Sequence, residues 1–353
     1  MPPPDYGLFE DFRFYRLKSV ALERENPIWN NNGVPWRMLP LETMRGCPYE
    51  CGFCNSPSQN MLFSEEANSR FFRKSSVERI RKEIVNSIKN FGANYFHCCA
   101  DTFLAWSMKE FEAFCEMYEE FKLPFWCQSR PETVAPDRDG HKKLRMLLDA
   151  GMHWMAFGLE HGNQDYRRQY VRRDYSNQLI TDSLKVAREL GVYYTLNNIA
   201  GFPLETRALA FDTIELNRLG IPEGYKRANC SCSTFVPFVG TPLRDLAVAR
   251  GFMPADYICP SNSADSILNM PPPYLSREEI KGIGLTFTMY VKFPKSRWPE
   301  IEQAEKQTPE GAAIRKKLAG EYKERFEQGP ETRIEAVERP NDSGLPKEEI
   351  PIM

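Results

Sequence analysis

The sequence predicts an α/β protein whose parallel strands, each followed by a helix, form a partial (β/α)6 open parallel barrel with a helical C-terminal extension. Three observations carry this. Six short apolar runs, at 38–44, 95–99, 125–129, 154–159, 193–199 and 229–235, alternate with stretches of helical periodicity. Strands separated by helices pair in parallel, because the chain must cross back over the sheet before the next strand. Eight such units close a full barrel of about 250 residues, whereas six fit between residue 38 and Gly251.

Residues 1–36, rich in Pro, Asn and aromatics without sustained periodicity, read as an irregular N-terminal segment. The barrel is expected over 37–251, its helical extension over 252–327, and a disordered tail over 328–353, where prolines and charges leave too little apolar content to pack. The first strand runs straight into Arg45-Gly46-Cys47-Pro48-Tyr49-Glu50-Cys51-Gly52-Phe53-Cys54. Ser75 with Glu78 and Ser107 with Glu110 read as capping boxes that open helices, while Gly92, Gly151, Gly191 and Gly220 read as helix stops. Beyond a Pro- and Ser-rich connection at 254–273, a helix opens at Ser276 with Glu279. A later one has Thr308 as N-cap and Pro309 in its first turn. In parallel barrels the chemistry sits at the C-terminal ends of the strands, so the loops there carry the candidate site.

With 353 residues, 42% of them apolar, the chain can bury a sizeable core. Its 46 basic and 48 acidic residues are interspersed, giving a net charge of −2 and no electrostatic case for a nucleic-acid partner. No run of eighteen apolar residues and no secretory leader appear, so neither a membrane span nor a signal peptide is expected, and the cytoplasm is the expected compartment. There, the ten cysteines are core, metal-binding or redox residues rather than disulfides.

Cys47, Cys51 and Cys54 lie within eight residues of one another, with no fourth cysteine nearby. A cubane iron–sulfur cluster takes one cysteine per iron, so a three-cysteine loop leaves one iron with an open position. The other reading is a structural zinc site completed from elsewhere. Cys-x3-Cys-x2-Cys after the first strand, with Phe53 before the last cysteine, resembles the signature of the radical S-adenosylmethionine (radical SAM) superfamily. The resemblance implies a 4Fe–4S cluster on Cys47, Cys51 and Cys54 whose open iron is chelated by SAM. Reductive cleavage of SAM would then give methionine and a deoxyadenosyl radical for hydrogen abstraction from a small-molecule substrate. It further implies an external one-electron reductant, flavodoxin- or ferredoxin-like, and places Phe53 against the adenine; simple loop packing is the alternative for Phe53.

Gly158-Leu159-Glu160-His161-Gly162-Asn163, followed by Arg173-Asp174-Tyr175-Ser176, resembles the cobalamin-associated, class B methyltransferase-like branch. There Glu160 would accept hydrogen bonds from ribose hydroxyls and Arg173 would pair with the methionine carboxylate. Without the resemblance they read as a helix N-terminal carboxylate and a solvated helix face. Asn198-Ile199-Ala200-Gly201-Phe202-Pro203-Leu204-Glu205 is similar to the fifth-strand segment of that branch, implying Asn198 and Gly201 beside the cofactor and Glu205 at the start of the next helix. Phe235-Val236-Pro237-Phe238-Val239-Gly240-Thr241-Pro242 resembles its sixth-strand turn, with Val239 in place of the usual proline, and adds Phe238 to the cofactor set. Ordinary turn and cap chemistry explains the last two segments equally well.

Asp101, in Ala100-Asp101-Thr102-Phe103, resembles the acidic turn of the branch. It would bind the SAM amine or the substrate, or else cap the helix near Ser107. Gln128 and Arg130, at the end of the third strand, would reach substrate at the barrel mouth if they face inward rather than toward the helices. Cys98 and Cys99 must point to opposite faces, while Cys230 and Cys232 share one. They are small buried fillers, or one is an extra cluster ligand or hydrogen-atom donor.

The branch usually carries an N-terminal cobalamin-binding domain with an Asp-x-His-x-x-Gly loop. Asp139-Gly140-His141 comes near that motif but leads to Leu144 and lies inside the barrel region. No such motif of this chain therefore supports cobalamin, which a separate cobalamin-binding chain would supply or which would bind base-off in the open barrel without that domain. Methyl transfer through cobalamin accordingly stays open. The competing readings are a non-catalytic iron–sulfur or zinc-binding partner subunit, and an inactive fragment of a cobalamin-dependent enzyme.

Overall fold

The computed structural model describes residues 28–31, 34–258 and 265–327. The expected tail at 328–353 lies outside the described residues, as does most of the expected irregular segment at 1–36. The described end of that segment departs from expectation. There β1 (Ile28–Asn31) pairs antiparallel with the front of β2 (Val34–Glu42), Ile28 opposite Arg37. The rest of β2 is the first barrel strand.

After β2 the chain makes β3 (Met44–Arg45), the cysteine loop and α1 (Ser56–Ala67), and returns along β4 (Arg73–Lys74), which pairs antiparallel with β3. Next come α2 (Val77–Phe91), β5 (Tyr95–Cys99), α3 (Met108–Tyr118), β6 (Phe125–Ser129) and α4 (Gly140–Ala150). Then follow β7 (Met152–Glu160), α5 (Asn177–Glu189), β8 (Tyr194–Ala200), α6 (Arg207–Gly220), β9 (Ala228–Thr234) and α7 (Pro242–Ala249). Strands β2, β5, β6, β7, β8 and β9 are parallel neighbours in sequence order. These six strands are the partial barrel that the apolar runs predict.

Local chemistry sets the helix ends. Ser107 and Glu110 form the expected capping box on α3. At α2 the cap is one residue later than expected: Ser76 Oγ accepts from the Arg79 amide at 3.2 Å, while Ser75 Oγ donates to the Glu42 carbonyl. Gly92 and Gly151 terminate α2 and α4 in the left-handed conformation, but Gly220 is the last residue of α6 rather than its stop.

Alternation along the strands separates two faces. On β8, Tyr194, Leu196, Asn198 and Ala200 are buried, while Thr195, Asn197 and Ile199 are half-buried. On β6, Phe125, Cys127 and Ser129 are buried and Trp126 and Gln128 half-buried. The fully buried set meets the helices; the other set lines the barrel interior. Cys98 is buried and its neighbour Cys99 half-buried, as opposite faces require.

Behind the barrel stand α8 (Arg277–Lys292), α9 (Trp298–Glu305) and α10 (Pro309–Tyr322). The Ser276–Glu279 box opens α8, which packs against β9 and α6 and buries Ile280, Ile283, Phe287 and Tyr290. Arg207 on α6 forks onto Glu305 at 2.8 and 2.9 Å, and the Tyr290 hydroxyl donates to the same carboxylate. Among the described residues, no helix is long and apolar enough to cross a membrane.

Candidate active site

The cysteine loop is held from both sides. The Gly52 amide donates to the Val171 carbonyl and its carbonyl accepts from the Leu243 amide, both at 3.0 Å, and a Cβ at residue 52 would collide with the Tyr170 carbonyl. Only glycine lets the loop lie this close. Asn60 Nδ2 donates to the Cys47 carbonyl at 2.9 Å, and Cys54 Sγ accepts from the Ser56 amide at 3.4 Å. All three thiols are free, with Cys47 and Cys51 buried and Cys54 half-buried. Burial, with the neighbouring Cys51, Asp101 and Cys54 charges adding to it, pushes the Cys47 thiol up to about 12. A thiolate there needs positive charge close by.

Two arginines bring positive charge to the loop, one at Cys51 and one at Tyr49. Arg173 is buried, and its Nε donates to Cys51 Sγ at 3.2 Å. Nη1 donates to the Gly158 carbonyl and Nη2 to Glu160 Oε1 at 3.2 Å. Arg173 reaches this position because a short helix (Gln164–Tyr166) relaxes into a π-helical turn (Arg167–Val171), and Arg172 then turns left-handed. Arg167 in that turn is fully buried and donates to the carbonyls of His161 and Tyr175. Thus Arg167 and Arg173 are buried and point inward, which excludes the solvated helix face that was the alternative for Arg173.

The second arginine, Arg130, is also buried. Its guanidinium lies 3.8 Å from the Tyr49 ring centroid, within the cysteine loop, and 5.5 Å from that of Tyr175. Its Nε is 2.5 Å from Glu132 Oε1, while the buried Oε2 of Glu132 has no hydrogen-bond partner. Arg130 therefore clamps the cysteine loop as it leaves β6. Tyr49, Glu132 and Arg167 escaped the sequence reading: the partner of Tyr49 is far away along the chain, and no spacing motif marks the contacts of Glu132 with Arg130 or of Arg167 with His161 and Tyr175.

Glu160 ends β7 at a register irregularity against β8 and has φ +66°. That conformation is costly for a residue with a Cβ, of order 1 kcal/mol, and such strain collects at functional sites. It turns the carboxylate toward Arg173. Burial raises the Glu160 pKa, while Arg173 and Arg130 oppose the shift.

Asp101 is exposed and receives the Ser56 hydroxyl at 3.4 Å, beside the cysteine loop, and the cap of α3 is Ser107 instead. Gln128 donates from Nε2 to the Ala100 carbonyl at 3.0 Å. Phe53 sits beneath the Arg173 guanidinium at 5.5 Å and packs on Phe202 at 6.0 Å. Phe238 is half-buried in the turn after β9, where its carbonyl accepts from the Thr241 hydroxyl.

Gly201 has φ +84°, and a Cβ there would lie 2.8 Å from Ile280 Cγ2. Its close neighbour in the structure is thus α8. Glu205 precedes α6, whose N-cap is Thr206, instead of beginning it. Glu205 Oε2 accepts from the amides of Gly201 and Phe202 at 2.5 and 3.2 Å, and Oε1 lies 3.3 Å from His161 Nε2. This fully buried pair joins the loops after β7 and β8.

Asn198 departs from its expected place. It lies on the helix-facing side of β8, 1% exposed, and exchanges amide hydrogen bonds with Asn217 at 2.8 and 3.0 Å. It also donates to the carbonyls of Leu196 and Ser231. Its polar atoms are spent on packing, so it leaves the cofactor set.

Among the described residues, no three His, Cys, Asp or Glu side chains form a group that could hold one metal ion. A cubane asks for something else, one thiolate for each of several irons. A loop with three free thiols, an inward guanidinium on one of them and a pinned glycine between them fits that demand.

Residues 41–216, about half of the chain, match the family model described as the radical SAM superfamily. An uncharacterised methyltransferase of Pyrococcus horikoshii is 25% identical over 63% of this chain and 44% of its own length. The cytidylyl-2-hydroxyethylphosphonate methyltransferase of Streptomyces wedmorensis is 23% identical over 67% of this chain and 42% of its own. The chain thus spans less than half the length of these curated relatives. The solved structure of the cobalamin-dependent S-adenosylmethionine radical enzyme OxsB, with aqua-cobalamin and S-adenosylmethionine bound, superposes with TM-score 0.50. It is 16% identical and covers 82% of this chain and 46% of that one.

Proposed function

The chain carries a radical SAM domain and is an enzyme of that superfamily, and from this premise we propose that Cys47, Cys51 and Cys54 hold a 4Fe–4S cluster at the mouth of the barrel. When bound, the cluster and SAM supply the one-electron cleavage that yields a deoxyadenosyl radical. The observation that carries the reading is the Arg173 guanidinium on Cys51 Sγ, in a loop already fixed through Gly52 and Asn60.

The roles of the chain's residues follow from their positions. Arg173 places positive charge on Cys51, lowering the cost of a buried thiolate, and Arg130 is a stacking partner for Tyr49 in the loop. Glu160 offers carboxylate oxygens to ribose hydroxyls at the end of β7, and Phe53 offers a ring face to adenine. Gly201 and Phe202, braced by Glu205, close the far side, and Asp101 and Phe238 flank the opening. The interior below is lined by Trp126, Gln128, Thr195 and Asn197, a mixture suited to a small molecule with both polar and flat apolar parts. The reductant is an external flavodoxin- or ferredoxin-like protein, and the compartment is the cytoplasm.

Methyl transfer to the substrate is the second reading, and the names of the two relatives favour it. Each of the four histidines makes a contact within the chain. His161 pairs with Glu205, His153 with Tyr95, His141 with Glu189, and His97 packs edge-on to Trp126. No step is assigned to cobalamin.

Anaerobic reconstitution with iron and sulfide, followed by SAM and dithionite, tests the first reading through deoxyadenosine. Wild type should form it, and C51A should neither form it nor retain four irons. A reconstituted wild type whose cluster spectrum ignores SAM and yields no deoxyadenosine would refute the proposal. S-adenosylhomocysteine formed together with a methylated product would establish the second reading.

A further inference from the structure

Arg173 has little left to offer a substrate carboxylate. Its Nε is on Cys51 Sγ at 3.2 Å, Nη1 on the Gly158 carbonyl, Nη2 on Glu160 at 3.2 Å, and the Phe53 ring lies against its plane. Its backbone is equally fixed, because the Arg173 amide donates to the Arg167 carbonyl at 3.1 Å, closing the π-helical turn. Its side chain is 6% exposed. A guanidinium held this way is a permanent cation with an N–H directed at one sulfur.

We infer that Arg173 is a positioning residue that sets the reduction potential of the cluster through its hydrogen bond to the Cys51 thiolate. The inference rests on the reading that Cys51 is a cluster ligand. Adding an electron to a cluster puts further negative charge on its sulfurs and thiolates. An adjacent cation that donates to one of them stabilises the reduced state more than the oxidised one. Net charge and hydrogen bonds to sulfur are the protein's main means of moving such potentials. No bond is made or broken, since the electron comes from the external reductant and stays on the cluster.

The experiment is a potentiometric titration of the reconstituted cluster, followed by electron paramagnetic resonance in the absence of SAM, on wild type, R173K and R173Q. R173Q should be harder to reduce, with roughly a tenfold lower ratio of reduced to oxidised cluster at one applied potential. R173K, which keeps the charge but loses the Nε donor, should fall between the two. SAM affinity is measured in parallel. If R173Q binds SAM weakly yet has the wild-type potential without SAM, Arg173 serves the methionine carboxylate and the inference is overturned. Should R173Q take up no cluster, R173K decides, and a potential equal to wild type overturns the inference. A wild type that assembles no four-iron cluster removes the functional reading itself, an outcome separate from an unmoved potential.

Discussion

Asn198 and Glu160 are register partners on the neighbouring strands β8 and β7, yet they face different environments. Asn198 has every polar atom engaged by Asn217, Leu196 and Ser231 inside the helix-facing layer. N198A would leave those partners buried and unsatisfied, so a loss of about 3 kcal/mol in urea denaturation is expected. SAM affinity in the reconstituted protein should not change; a selective loss of affinity would return Asn198 to the cofactor set. Glu160 shows the reverse pattern, with a strained backbone and a carboxylate aimed beside the cysteine loop. E160Q keeps the shape but removes the charge paired with the buried Arg173 and weakens hydrogen bonds to ribose, so SAM affinity should fall by about tenfold together with a loss of stability. The cysteines were legible in sequence because their spacing is local. The Arg130–Tyr49 clamp was not, because it joins residues brought together only by the sheet, and Asn198 was misjudged because a strand motif does not reveal which face meets the helices.

At the level of elements, the strands were legible to within two residues except at the front of β2, which begins at Val34, since buried parallel strands are apolar runs bounded by turn signals. The β5 and β6 boundaries match the expected runs, whereas β1 was missed because its four residues, Ile28–Asn31, are too short for a periodicity to show. Helix caps were legible where two residues cooperate, as in Ser107–Glu110, and slipped by one where Ser75 and Ser76 compete. Gly201 had a second role that no local pattern shows, which is to let α8 approach the end of β8 through Ile280. G201A therefore combines left-handed strain with a clash, and a loss of about 2 kcal/mol is expected. I280A alone should cost about 3 kcal/mol as a core truncation. If the close approach is what demands glycine, the double variant G201A/I280A loses less than the sum by at least 0.5 kcal/mol, measured in a denaturant cycle. Strict additivity would place the effect in the backbone alone.

Across the whole molecule the two ends of the barrel are built for different tasks. The C-terminal strand ends gather cysteines, arginines and carboxylates, whereas the opposite end is closed by aromatic packing. Near the start of β7, His153 pairs with the Tyr95 hydroxyl at 2.9 Å and lies edge-on to Tyr95 and close to Trp154 and Tyr193. Burial lowers its pKa to about 4, against an ordinary value of 6.5. The folded protein therefore resists a proton that the unfolded chain accepts. Stability from this group is fully present above pH 6.5 and is lost as pH falls toward 4, by up to about 1.4 kcal/mol per pH unit within that window. Carboxylates titrate over part of the same range, so the prediction concerns a difference between variants. H153Q keeps a hydrogen-bonding partner for Tyr95 but cannot take up a proton. Its denaturation midpoint should fall less steeply than that of wild type between pH 6.5 and 4, with deoxyadenosine formation at neutral pH unaffected. Parallel slopes would mean that His153 charges in place and that this end of the barrel admits water.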